Sequence, residues 1–300
     1  MSLAERVKEQ ARLKNSVLVV GLDPDIRKFP DYLIKGYSGS QQVEEALYRF
    51  NRTVIDAVQP YAVAVKPQLA FYEIFGSYGI RALERTITYA GEKDLLVIGD
   101  AKRNDVGFVA DAYAQAYLGN GPLGVDAVTV NPFLGTDGIY PFAYKAVREN
   151  KGVFIILKTS NPSSGEIQNL VTDNGQLVYE KVAEKIEEVM ASSGCEAENY
   201  SCLGVVVGAT YPEDARKIRR LLPRCIFLVP GFGAQGAEAE SLKGCFDGDG
   251  FGALVNSSRS IIYSYTQEKA KGEVSEEEVF QSISEAAKTA RQQLNRIRFQ

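Results

Sequence analysis

The sequence predicts an α/β protein, a single-domain (β/α)8 TIM barrel, and three observations carry that prediction. Eight short, β-branched apolar runs alternate with longer amphipathic stretches from one end of the 300 residues to the other. The runs are nearly continuous in apolar character instead of strictly alternating, as parallel strands buried on both faces require. Eight strand–helix units in roughly 250 to 300 residues also match the size of a closed barrel. No linker rich in Pro, Gly or Ser divides the chain and no internal repeat is evident, so residues 1–300 are read as one domain. A doubly wound open sheet is the structural alternative.

In chain order, the apolar runs at 17–20, 62–65, 95–98, 127–130, 153–157, 203–207, 226–229 and 253–255 give the strands. Between the first two, the stretch 43–58 carries apolar residues at 43, 46, 47, 50, 54, 55 and 58. That is the 3.6-residue period of a helix with one buried face. The stretches 81–90, 109–118, 138–148, 177–190, 212–222 and 276–297 read the same way. Pro212 suits the start of a helix, where its missing N–H costs little. Two irregular stretches, 160–175 and 192–201, read as a loop and an insertion flanking one helix.

Composition narrows the chemistry. A chain that is 45% hydrophobic and 24% charged is that of an ordinary folded protein, which excludes wholesale disorder. Lys and Arg number 34 against 38 Asp and Glu, a net charge of -4. That balance argues against a nucleic-acid partner while leaving room for a local basic pocket holding one small anion. Histidine is absent. Ser-His-Asp and Cys-His catalysis, an imidazole base and His-ligated zinc are therefore all excluded. Acid–base work must fall to Asp, Glu, Lys, Tyr or Cys. Cys195, Cys202, Cys225 and Cys245 form no C-x-x-C pair, which argues against a zinc ribbon or a thioredoxin-like site and suits a reducing cytosol. The first 16 residues are charged and lack the apolar core of a signal peptide. No apolar run approaches the roughly 20 residues needed to span a bilayer, so a cytoplasmic location with no membrane partner is expected.

The most informative segment is Gly99-Asp100-Ala101-Lys102-Arg103-Asn104-Asp105, where an apolar strand ends in D-x-K-x-x-D. Side chains alternate along a strand, so Asp100 and Lys102 share a face. At the C-terminal end of a barrel strand that face opens into the mouth, where barrel enzymes keep their active sites. Asp105 lies in the following loop, free to point elsewhere. Alone, so short a pattern is as consistent with a solvated salt-bridge cluster. Two further strands, however, also end in charge: Lys66 directly follows 62–65, and Asp23 closes Val19-Val20-Gly21-Leu22. A lysine at the end of a core strand is costly unless paired.

The C-terminal half offers an anion site. Pro230-Gly231-Phe232-Gly233-Ala234-Gln235-Gly236 is a glycine-rich turn after the seventh run, and Asn256-Ser257-Ser258-Arg259 follows the eighth. Loops in those positions form a recurrent phosphate site in barrels, and Arg259 would supply a bidentate clamp. The spacing is neither a dinucleotide fingerprint nor a P-loop. Lys158-Thr159-Ser160-Asn161-Pro162 ends the fifth run with small hydroxyl and amide groups able to read the polar edge of a base, or equally to make a hydrophilic turn.

With these residues in place the sequence resembles orotidine 5′-phosphate decarboxylase, in particular its longer-chain bacterial branch, over nearly the whole chain. The resemblance rests on Gly21-Leu22-Asp23-Pro24, Val65-Lys66-Pro67-Gln68, the Asp100/Lys102/Asp105 motif, Thr159-Ser160-Asn161-Pro162, Pro230-Gly231-Phe232-Gly233 and Arg259. It implies a catalytic tetrad of Lys66, Asp100, Lys102 and Asp105, with Asp105 entering the neighbouring subunit's site in a homodimer. It further implies that Lys102 protonates the C6 carbon as carbon dioxide leaves, that Asp100 lies beside the departing carboxylate, and that Lys66 links Asp100 to a ribose hydroxyl. By the same resemblance Asp23 would be the ribose-hydroxyl acceptor, Ser160 would read the pyrimidine amide edge, and Gln235 with Arg259 would grip the phosphate. The product would be UMP, in the last step of de novo pyrimidine biosynthesis, with neither metal nor cofactor expected. One departure stands out: Val106-Gly107-Phe108-Val109 follows Asp105 where shorter family members place a threonine that contacts ribose.

Two rivals remain at this stage. Related barrels that act on 3-keto-sugar phosphates or make hexulose phosphates share D-x-K-x-x-D but hold magnesium, for which a carboxylate would be favoured where Lys66 stands. A non-catalytic nucleotide-binding protein on the same scaffold is the other.

Overall fold

Eight parallel strands close into a barrel in sequence order: β1 (Leu18–Leu22), β2 (Ala64–Pro67), β3 (Leu96–Arg103), β4 (Ala127–Val130), β5 (Gly152–Lys158), β6 (Leu203–Val207), β7 (Phe227–Val229) and β8 (Ala253–Ser257), with β8 pairing back on β1. The computed structural model describes residues 1–35, 39–195, 199–208, 212–233, 239–266 and 272–299. The closed (β/α)8 architecture is the predicted one, and every predicted strand is found. The largest difference is at β3, which runs through Asp100 and Lys102 to Arg103. The apolar run stops at Ile98, but the ladder continues beyond it, so hydropathy alone ended the strand too early.

Register decides which residues share the interior. Val19 lies opposite Ala64 and Ala64 opposite Leu96, while Val20, Val65 and Val97 form the next row. The first row packs inside the barrel with Ile98, Phe154 and Leu254, and the second packs outward against the helices. Continuing the same parity up the strands points Lys66 and Asp100 into the mouth. Two ladders are irregular: the β3–β4 register shifts between Gly99 and Arg103, and the β5–β6 register between Ile156 and Lys158. Bulges of this kind re-aim side chains near functional sites.

The helices are α1 (Leu3–Leu13), α2 (Ser40–Val58), α3 (Gly76–Glu92), α4 (Gly107–Leu118), α5 (Tyr140–Glu149), α6 (Val178–Ser193), α7 (Pro212–Leu221) and α8 (Glu276–Arg298). The helix predicted over 43–58 buries Ala46, Leu47, Phe50, Val54, Ile55 and Val58 as its period requires. α8 starts at a capping box of Ser275 and Glu278 and packs on α2 and β1, completing the outer ring. The 160–175 stretch contains a short turn at Pro162–Ser164 and a short helix at Gly165–Gln168.

α1 was not among the predicted helices, because its charged residues hide a narrow apolar stripe. Ser2 and Glu5 cap it reciprocally, and Leu3, Ala4, Val7 and Ala11 are buried. They plug the N-terminal end of the barrel against Val63, Leu96 and Phe154, each large side chain contributing on the order of 1.5–3 kcal/mol of burial. The opposite, C-terminal mouth stays open. No helix among the described residues is long and apolar enough to cross a membrane.

Candidate active site

Three of the predicted charges meet in the mouth. Asp100, at the inward-facing end of β3, accepts from Lys66 Nζ of β2 at 2.6 Å through Oδ2 and from Lys102 Nζ at 2.5 Å through Oδ1. Lys66 and Asp100 are buried, at 7% and 9% side-chain exposure, whereas the Lys102 side chain is 49% exposed. Burial by itself would raise the Asp100 carboxyl, but the charges of Lys66 and Lys102 outweigh it and hold the group down at about 2. A permanent carboxylate thus fixes one buried and one accessible ammonium. Lys102 adopts a left-handed φ of 48° within the bulge, a conformation costly for a residue with a β-carbon. Such strain persists where the surroundings demand it, commonly at functional sites. Ala101 and Arg103, of opposite parity, turn outward; Arg103 pairs with Glu73 and with the Tyr117 hydroxyl.

Sequence reasoning missed two members of this network. Gln68 Nε2 donates to Asp100 Oδ2 at 3.0 Å, and Thr129 Oγ1 donates to Asp100 Oδ1 at 3.0 Å while accepting the Lys102 backbone N–H at 2.9 Å. Asp100 therefore has four partners, one for each lone pair. Thr129 left a readable trace as the hydroxyl in the apolar run Ala127-Val128-Thr129-Val130 at inward parity. Gln68 follows Lys66 at the same-face spacing of two.

Lys66, Asp100, Lys102 and Thr129 line a cavity of about 180 Å³, whose far wall is Thr159, Ser160 and Asn161 from the end of β5 and Pro230 after β7. Ser160 thus lines the same cavity as the three charges. Asp23 stands at the end of β1 with Oδ2 accepting from Ser258 Oγ at 2.5 Å and its backbone carbonyl accepting from the Tyr263 hydroxyl. Its Oδ1 is buried with no partner among the described residues, and so is Oδ1 of Asn256, an inward residue of β8 that the sequence did not single out. An orphaned buried acceptor is a group awaiting a donor. Ser258 Oγ comes within hydrogen-bond reach of the Gly21 carbonyl as well, so it ties the ends of β1 and β8 together.

Arg259 opens a short helix, Arg259–Ile262, directly after β8 and is exposed. The turn after β7 takes left-handed φ values of 98° at Gly231 and 87° at Gly233, which only glycine adopts cheaply. Ser257 Oγ donates to the Phe232 carbonyl at 3.1 Å and holds that turn against β8. Gln235 lies outside the described residues. Asp105 is not brought to the cluster within this chain: its Oδ1 accepts the Val106 N–H at 2.9 Å. In the segments after β2, β3 and β4, Ile74, Val106, Phe108, Phe133 and Leu134 stand exposed, Phe108 at 84% and Phe133 at 76%. Among the described residues no three His, Cys, Asp or Glu side chains are grouped to hold a metal ion.

The arrangement offers an ammonium at an accessible position, locked by a carboxylate, in a pocket walled by hydroxyls and amides. It can stabilise negative charge developing on a substrate atom and deliver a proton there.

Comparison with known proteins places the chain in a family. The family model of the orotidine 5′-phosphate decarboxylase / HUMPS family matches residues 16–273. The chain is 42% identical over 278 residues to an orotidine 5′-phosphate decarboxylase of Caldicellulosiruptor bescii, covering 88% of this chain and 90% of that protein. It is 38% identical over 298 residues to the protein of the same name from Haloarcula marismortui, covering 99% and 100%. Among solved structures, the Leishmania donovani OMP decarboxylase superposes with a TM-score of 0.78 at 31% identity, over the full length of both chains. Fold and sequence agree, and the chain belongs to the orotidine 5′-phosphate decarboxylase / HUMPS family.

Proposed function

We propose that this chain is a carboxy-lyase that converts orotidine 5′-phosphate to UMP, the last step of de novo pyrimidine biosynthesis, without metal or cofactor. The observation that carries the reading is the Lys66–Asp100–Lys102 chain of contacts facing Ser160 across one cavity. In the reaction the bond between C6 and the carboxylate breaks, its electron pair stays on C6, and carbon dioxide leaves. C6 is poorly placed to delocalise that charge, so the Lys102 ammonium stabilises it electrostatically and then gives it a proton. The lysine recovers a proton from water. Asp100, ionised throughout, aims Lys102 and offsets the buried charge of Lys66, which reaches a ribose hydroxyl.

The orphaned Oδ1 of Asp23 accepts from the ribose, and Ser160, which lines the cavity, reads the pyrimidine amide edge. Arg259, with Gln235, grips the phosphate, whose binding energy drives closure around a reacting carbon that it does not touch. The exposed apolar groups in the segments after β2, β3 and β4, the β3 segment also carrying Asp105, support a homodimer in which Asp105 completes the partner's site. The four cysteines are free thiols, which supports a cytoplasmic location. Lys66 occupies the strand end where the magnesium-dependent sugar-phosphate branch would need a carboxylate, which weighs against that rival.

The test follows the ultraviolet absorbance of orotidine 5′-phosphate in excess chelator, with wild type beside Lys102→Ala. Rapid loss by wild type and a rate at least 10²-fold lower for the variant is the expected result. No loss by wild type refutes the assignment and moves the search to sugar phosphates with added magnesium.

A further inference from the structure

Lys158 does not do what its position in β5 suggests. Leu157 faces the helices, so strand parity would turn Lys158 into the mouth as a third ammonium. The bulge after Ile156 turns it outward instead, into the helix layer, where it is 1% exposed. There Nζ donates to Asn169 Oδ1 at 2.8 Å, lies 3.9 Å from Asp214 Oδ2 of α7, and stands 5.7 Å from the centre of the Tyr179 ring of α6. The Tyr179 hydroxyl in turn donates to Asp214 Oδ1 at 3.3 Å.

The neighbouring residue makes a second rung. Thr159 N–H donates to Gln168 Oε1 at 3.0 Å, and Gln168 Nε2 donates back to Thr159 Oγ1 at 2.8 Å. Residues 158 and 159 are thereby bonded side by side to 169 and 168, at the far end of the excursion that follows β5. The next residue, Ser160, lines the cavity. Its opposite side is set by Gly208, just past β6, whose N–H donates to the Lys158 carbonyl at 2.7 Å. A β-carbon at Gly208 would lie 2.8 Å from both the nitrogen and the β-carbon of Ser160.

Stability alone is a poor reason to bury an ammonium here. Desolvation consumes most of what a buried ion pair gains, and an apolar side chain of similar shape is often as stable or more so. Burial also pulls the Lys158 pKa down against the opposing charge of Asp214. What an apolar residue cannot do is hold Asn169 in a fixed direction. We propose that Lys158, Gln168 and Asn169 are positioning residues that rivet the 162–169 excursion to the end of β5, so that Thr159, Ser160 and Asn161 meet the substrate base in one geometry. The proposal rests on the decarboxylase reading of the same cavity and deepens it by naming what sets base recognition.

The experiment compares wild type, Lys158→Met and Gln168→Ala by the inhibition constants of UMP and of ribose 5-phosphate, the second lacking the base. Thermal unfolding is recorded alongside. Both variants should fold, keep the wild-type affinity for ribose 5-phosphate, and lose roughly three- to tenfold in affinity for UMP, the worth of one misplaced hydrogen bond. The orotidine 5′-phosphate KM should rise in step. Gln168 is only half-buried and makes no ion pair, so its variant keeps the test open if Lys158→Met fails to fold. A UMP-to-ribose-phosphate ratio unchanged in folded Gln168→Ala, or equal losses on both ligands, overturns the rivet. A wild type that shows no preference for UMP over ribose 5-phosphate overturns the decarboxylase reading beneath it.

Discussion

Replacing Asp100 by Asn isolates the electrostatics of the site from its shape. The amide keeps the volume and can still accept from one lysine, but the charge that Lys66 and Lys102 share is gone. Lys66 is 7% exposed and would be left as a buried ammonium without a counter-charge. Breaking a buried pair in this way costs about 3–5 kcal/mol, whereas the half-exposed Lys102 contact adds less than about 1 kcal/mol. At about 2 °C per kcal/mol for a chain of this size, Tm should fall by about 6–10 °C at pH 7.

The pH dependence gives the mechanism away. In wild type the Asp100 carboxyl is held at about 2, below its ordinary 3.8, so its contribution is complete above pH 4 and is lost as pH falls through 2. The variant has no carboxyl here to protonate, so it lacks this acid-side loss. The gap between the proteins should therefore narrow from pH 7 to pH 3, as wild type gives up part of the Asp100 contribution. Urea unfolding at the two pH values measures it. A gap below about 1 kcal/mol at pH 7, or one of equal size at both pH values, would falsify the claim that Asp100 exists to hold a buried cation.

Two further outcomes concern the remaining site residues. Arg259→Ala should raise KM and lower kcat/KM for orotidine 5′-phosphate by at least about 10²-fold, through loss of a charge-assisted clamp, while leaving the slow turnover of bare orotidine unchanged; equal losses on both substrates would remove Arg259 from the phosphate site. Inactive Lys102→Ala and Asp105→Asn proteins, mixed and allowed to exchange subunits, should regain roughly a quarter of wild-type activity, since half of randomly paired dimers are mixed and each mixed dimer has one intact site. Activity that stays absent after demonstrated exchange would show that Asp105 serves its own chain.

Much of the fold was legible because the physics that builds it is local. A strand buried on both faces must be apolar throughout, and a helix laid on it must be apolar every third or fourth residue, so runs such as 127–130 and 43–58 declare themselves. α1 escaped because its four buried side chains are spread thinly among charges, and only the open end of the barrel gives them a use. The core of the candidate site was legible for a related reason. Charge at the end of an apolar strand is expensive, and Asp23, Lys66 and Asp100 each break an apolar run at the point where parity turns them inward.

What the sequence determined by itself was therefore the kind of barrel, the strand ends that carry charge, and through them the family. Tertiary structure alone decided the partners and the directions. Gln68 and Thr129 complete the Asp100 network only because β2 and β4 flank β3, and no periodicity along one strand reports on its neighbours. Lys158 and Lys102 each occupy a bulge, where the two-residue alternation that sequence reading relies on is broken. One lysine is turned into the helix layer and the other held at a left-handed φ at the mouth. Their sequence contexts are alike, a lysine at the end of a core strand; the ladder each strand makes with its neighbour is what sends one to buttress the pocket and the other to face the substrate.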